Sequence, residues 1–294
     1  MNTLAGNTDQ YPGSPADRVP PHLYFVGSAL FHYLGPSFAV LLFARVPVPG
    51  VAWLRIVSAA AVFALWRRPW RALHDMDGHE RRLILALGGV LAVMNYCFYE
   101  AIAALPLGTV AAIEFVGPVM LAAAGARQPR NLAALALAVA GVYHLTAPLW
   151  RGQPMAFLWA FANAGLFMLY IVLAHRIARA SPRTSPIDRL GAAMLVAGVA
   201  ISPLGLADAL PALLDPASLA AGIGVGLSSS VIPYVCDQLA MRRLPRATYA
   251  VFVALLPATA VLVGIVVLRQ WPTRAEWTGV ALVAVAVALH RPSD

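Results

Sequence analysis

Lysine is absent from this chain: all 21 basic side chains are arginine, a bias we assign to the base composition of the gene and not to chemistry. Charge of either sign is scarce, at 12% of 294 residues, against 60% hydrophobic residues and a mean hydropathy of +0.73. So little polar surface cannot coat a soluble globule of this size, and the chain belongs in a bilayer. Cysteine is nearly missing too. Cys97 and Cys236 both fall in apolar stretches, where the residue serves as a small packer, and two thiols are too few to suggest a redox role. No GxSxG, GxxxxGK[ST] or paired-acid signature occurs, which argues against an enzyme and against an ATP-driven pump. Nothing points to a metal or a cofactor. The run HDMDGHE at 74–80 lacks the HExxH pattern and reads as a solvated loop, and the glycines of AGIGVG at 221–226 follow no strand and fit close helix packing.

What remains is apolar and periodic. Ten stretches of about twenty apolar residues cover 23–43, 48–66, 83–103, 106–125, 132–149, 155–175, 187–206, 217–240, 247–268 and 275–290. They do not alternate as barrel strands would, so the expected fold is an all-α integral membrane protein with ten transmembrane helices. Residues 1–21 read as a disordered cytoplasmic tail. The formal charge of +8 does not announce nucleic acid, because the arginines are sorted by loop. With the amino terminus inside, sixteen arginines fall on the cytoplasmic side and four on the other (Arg45, Arg151, Arg269 and Arg274), so both termini are expected in the cytoplasm.

Residues 105–125, LPLGTVAAIEFVGPVMLAAAG, recur 139 positions later as 244–264, LPRATYAVFVALLPATAVLVG. Six of the 21 aligned positions are identical, among them Pro106/Pro245, Thr109/Thr248, Pro118/Pro257 and Gly125/Gly264. Extending backwards pairs Cys97 with Cys236. Five segments per half force the second half to insert upside down, giving two inverted five-helix repeats, 22–150 and 151–294. Pro118 and Pro257 then lie near mid-membrane as hinges, each removing a helical hydrogen bond.

Only the first copy carries a carboxylate. Glu114 lies about 12 Å along its helix from Pro106, at 1.5 Å per residue, close to the bilayer middle. An ionised carboxylate at that depth costs a few kcal/mol, so the group takes a proton or sits beside a cation, which suits exchange of protons for a substrate. Asn95 and Tyr99 share a face one turn apart, and Ser230, Tyr234 and Asp237 form another stripe beside Pro233; both stripes offer hydrogen bonds to a polar solute. Arg55 is the one arginine well inside an apolar span and, with Asp237, is a candidate electrostatic partner of the site. His32 sits mid-helix beside Gly35-Pro36 and is a weaker substrate-binding candidate.

The stretch MNYCFYEAIAALPLGTVAAIEFVGPV (94–119), with PGVAWLR (49–55), SSSVIPYVCDQLAMRRLP (228–245) and ALLPA (254–258), resembles the EamA-type drug/metabolite transporters, and within them the threonine/homoserine exporter branch. The resemblance covers about 25–290. It implies ten helices in inverted repeats, residence in the bacterial inner membrane, and export of amino acids or related metabolites by alternating access against protons. By position, Glu114 matches the family's glutamate before Phe-x-Gly-Pro, Arg55 its arginine in the second helix, and Asp237 stands where the branch has glutamate. Two departures stand out. Leu256-Pro257 replaces the usual Glu-Pro, and Arg269-Gln270 replaces Gly-Glu, leaving Glu114 to bear coupling alone. The expected partners are a small-molecule substrate, protons and lipid. Two rival readings stay open: drug efflux through an aromatic cavity of Phe98, Tyr99, Phe115 and Tyr234, and a non-transporting scaffold or receptor.

The topology has a direct check: a reporter that fluoresces only in the cytoplasm is expected to light when fused to either terminus and to stay dark when inserted after Arg45.

Overall fold

In lipid a backbone amide finds no water, so apolar stretches must close their hydrogen bonds internally. All regular structure among the described residues is accordingly helical in the computed structural model, which describes residues 20–125, 128–146, 153–180, 185–241 and 256–289. In order these are α1 (Pro21–Leu42), α2 (Val48–Arg67), a short α3 (Pro69–Asp75), α4 (Gly78–Ile102), α5 (Leu107–Gly125), α6 (Pro129–Thr146), α7 (Pro154–Ala180), α8 (Pro186–Leu214) and α9 (Pro216–Gly226). A π-turn at Leu227–Val231 joins α9 to α10 (Ile232–Met241), and α11 (Leu256–Leu268) and α12 (Arg274–Leu289) complete the set. Among the described residues six apolar runs are long enough to cross a membrane: Leu23–Leu42, Val48–Arg67, Gly78–Ile102, Pro154–Ile177, Pro186–Leu214 and Pro216–Cys236. Shorter helices, α5, α6, α11 and α12, overlap the other four expected segments.

Proline starts these helices and also interrupts them. It opens the first turn of α1, α2, α8 and α9, where its missing amide is no loss. α4 begins differently, with a capping box in which Asp77 accepts from the amides of His79 and Glu80 while Glu80 returns the bond. The run 74–80 is thus a helix start. Those two amides, Glu80's foremost, hold the Asp77 carboxyl below the usual range, so the cap is intact at neutral pH and weakens as acid protonates it.

Packing gathers these helices around one centre. α2 lies against α8 and α9, α4 against α7 and α8, α5 against α6, α7 and α11, α6 against α12, and α1 against α9, the π-turn, α10 and α11. Arg67 ties α2 to α8 at their arginine-rich end through a bidentate bond to Asp188, at 2.8 and 3.1 Å. At the far end of α11, Arg269 adopts φ 55, left-handed backbone that glycine takes without strain. Its turn lets the Gln270 amide reach back to Gly264 O at 3.0 Å, while Gln270 Oε1 accepts from the Leu107 amide at 3.1 Å. The Arg269-Gln270 pair therefore links the end of α11 to the start of α5.

α1 meets the π-turn at Gly35, where an added Cβ would overlap Ser229 Oγ and come within 2.6 Å of Ser229 N. Gly35→Val is expected to lower the thermal midpoint in detergent by several degrees, an overpacking cost of about 1–3 kcal/mol. Gly224→Ala, with no atom within 4 Å of the new methyl, should leave the midpoint unchanged.

Candidate functional site

Six helices converge on one small cavity of about 50 Å³. α1 contributes His32 and Pro36, α2 Arg55, α4 Met94, Asn95 and Phe98, α5 Glu114, α7 Asn163, Phe167 and Tyr170, and α10 Tyr234. Among the sequence candidates, His32, Arg55, Asn95, Glu114 and Tyr234 come together here from five separate helices. A larger crevice of about 430 Å³ between α1 and α9 is walled by apolar residues with Arg45 at one end, and no carboxylate lines it.

Arg55 is held by the π-turn, whose bonds run to the amide five residues on, as Ile232 N donates to Leu227 O. Its Nη2 donates to Ser229 O at 3.2 Å and its Nε to Ser230 Oγ at 3.1 Å. The π-turn at Leu227–Val231 lies over α2 because Gly226 and Gly222 have no side chain; a Cβ on Gly226 would press on Arg55 O and Ser58, and one on Gly222 on Leu54. The guanidinium carbon stands 5.4 Å from the centre of the Tyr99 ring, a cation–π contact. Arg55 is 6% exposed. Of its five N–H donors these bonds use two, leaving the others for the cavity.

Glu114 stands opposite, one turn before a proline of its own helix. Pro118 sits inside α5, so the backbone carbonyl of Glu114 lacks its usual donor; Pro36 does the same for His32 in α1. The Glu114 carboxyl feels the charge of Arg55 across the cavity, yet no ion pair joins the two. Asn163, fully buried, stands beside that carboxyl as its polar neighbour.

Threonine/homoserine exporter RhtA of Escherichia coli is 32% identical over 244 residues, 80% of this chain and 79% of that protein. The chain belongs to the EamA-like transporter family. The family's sequence profile matches residues 154–290, and threonine/homoserine exporter RhtA of Salmonella typhimurium is 30% identical over 87% of this chain and 84% of its own length. A crystal structure of a protein 18% identical superposes with a TM-score of 0.57 over 92% of this chain and 95% of the other, a likeness of fold. This is accordingly a multi-pass bacterial membrane protein of a transporter family, embedded in lipid and expected to handle a small molecule.

Within that family frame the structure sorts the sequence candidates by place. Tyr99 and Ser230 do not line the cavity; they lie behind Arg55 and hold its guanidinium, because the π-turn rotates Ser230 toward α2. Asn95 does face the cavity, but its amide donates to Leu91 O of its own helix at 2.8 Å, which leaves chiefly its oxygen for a solute. Phe115 packs on Phe167 instead of lining the space. Asp237 lies in α10, and its side chain is outside what the structure describes; Pro257 is the second residue of α11, with 242–255 before it also outside the described residues. Asn163 and Tyr170 were not singled out from sequence. A lone asparagine within FLWAFANAGLFMLY was the available signal, since an amide costs free energy in an apolar span unless something binds it.

Arg55→Met removes the donor from the buried Ser229 carbonyl and is expected to lower the thermal midpoint, at a cost of about 1–3 kcal/mol. Arg55→Lys, which keeps a charged donor on a long stem, should lose less. A lysine variant no more stable than Arg55→Met would contradict this account of Arg55.

Proposed function

We propose that this protein is a secondary active exporter of a small amino acid of the threonine or homoserine kind, working by proton antiport and alternating access. One observation carries the reading: Glu114, deep in α5, faces a cavity at the meeting of six helices with no ion pair among the described residues. A carboxylate so placed is stable with a proton or with a substrate ammonium, and the two compete for it. His32, Arg55, Tyr33, Asn163, Tyr170 and Tyr234 surround the group and tune that competition. The names of the curated relatives supply the substrate class.

At about 50 Å³ the cavity is far below the roughly 300–1,000 Å³ of small-molecule sites, which supports reading this conformation as closed around the site. Transport then requires α1, α5 or α10 to move, and Pro36, Pro118 and Pro233 weaken those helices where they border the cavity. Pro257 fills the matching hinge role in the second half.

The contacts support two inverted five-helix repeats, 22–150 and 151–294, preceded by a tail over 1–21. Exchange the halves and neighbours map onto neighbours: α4 with α7 becomes α1 with α10, α5 with α7 becomes α1 with α11, and α4 with α8 becomes α2 with α9. The pairs α2·α8, α5·α11 and α6·α12 map onto themselves, as helices on a two-fold axis must. The match of the family profile to 154–290 alone agrees with a repeat of that size. The setting is the inner membrane with both termini in the cytoplasm.

In proteoliposomes an imposed pH gradient is expected to drive threonine against its concentration. Glu114→Gln should abolish that accumulation by at least tenfold while leaving threonine–threonine exchange measurable. Unimpaired pH-driven accumulation by the variant would refute the coupling role.

A further inference from the structure

We infer that the cavity selects a free α-amino acid as a zwitterion, its carboxylate bound by the open edge of Arg55 and its ammonium by Glu114. This rests on the export reading and adds what decides the substrate. Two opposite charges line the same cavity, each costly to bury alone, and they do not pair with each other. A ligand carrying both charges satisfies both at once. An organic cation would neutralise Glu114 but face the Arg55 charge, and a simple anion would meet the reverse.

Each pole is furnished beyond its charge. Ser229 O and Ser230 Oγ fix the guanidinium from one side, so its remaining donors present a planar fork suited to a carboxylate. At the other pole the carbonyls of Glu114 and His32, deprived of helical donors by Pro118 and Pro36, add acceptors for an ammonium, as interrupted helices do in other transporters. Asn163, buried beside Glu114 in the cavity wall, places an amide where a short hydroxylated side chain would reach it. Protonation of Glu114 removes the ammonium's counter-charge and loosens the substrate, while Arg55, always charged, does not change.

Counterflow of labelled threonine into wild-type proteoliposomes tests this with three competitors: threonine, threonine amide, which lacks the carboxylate, and 3-hydroxybutyrate, which lacks the ammonium. Threonine should compete at least tenfold better than either analogue. Arg55→Gln should raise the KM for threonine at least tenfold and bring threonine and its amide close to parity, while Arg55→Lys should retain part of the preference. Equal competition by the amide in the wild type, or an equal loss of both substrates in Arg55→Gln, would overturn the carboxylate anchor while leaving amino-acid export standing. A wild-type protein that exchanges hydrophobic cations and no amino acid would overturn the export reading and the anchor together.

Discussion

A buried guanidinium bound to an irregular turn governs this structure more than any other interaction. In lipid no water repairs an unmet backbone group, so a helix that changes register finds partners in a neighbouring span. Ser229 O accepts from Arg55, and that contact goes with an arginine deep in α2, a π-turn lying against it, and bare Gly226 and Gly35 where the elements meet. Pro36 and Pro118 add to this by removing the usual helical donors of the His32 and Glu114 carbonyls, the two cavity residues that lie four before a proline.

Periodicity and composition made the helices legible, because a run of about twenty apolar residues has one backbone solution in a bilayer. Glu114, Arg55, Asn95, His32 and Tyr234 were legible as well, since a polar group in such a run is expensive and stands out. Geometry at the scale of a single turn was not. The π-turn at 227–231 inserts a residue's worth of rotation that a 3.6-residue stripe cannot foresee, so Ser230 ended behind Arg55 and not beside Tyr234. Tyr99 shares a face with Asn95, as the spacing suggested, yet the guanidinium above its ring separates it from the cavity. Asn163 went unnoticed because nothing in its own segment repeats or pairs with it; only the approach of α7 to α5 gives it a neighbour.

Around α11 this chain has Leu256-Pro257 and Arg269-Gln270 where the family resemblance implies Glu-Pro and Gly-Glu. The turn after α11 keeps the left-handed backbone that glycine would hold at no cost, now with arginine in it. Its shape is therefore imposed by the wrapping of Gln270 onto Gly264 and by the bond from Leu107, not by local preference.

That bond from the Leu107 amide to Gln270 sets where leverage exists. α5 is moored at its first residue to the turn after α11, and its ladder is interrupted at Pro118, one turn beyond Glu114. A rod fixed at one end and cut past its middle swings only in its outer part. In any movement of α5 the stretch from Pro118 to Gly125 is then the outer arm, and Glu114 lies near the pivot.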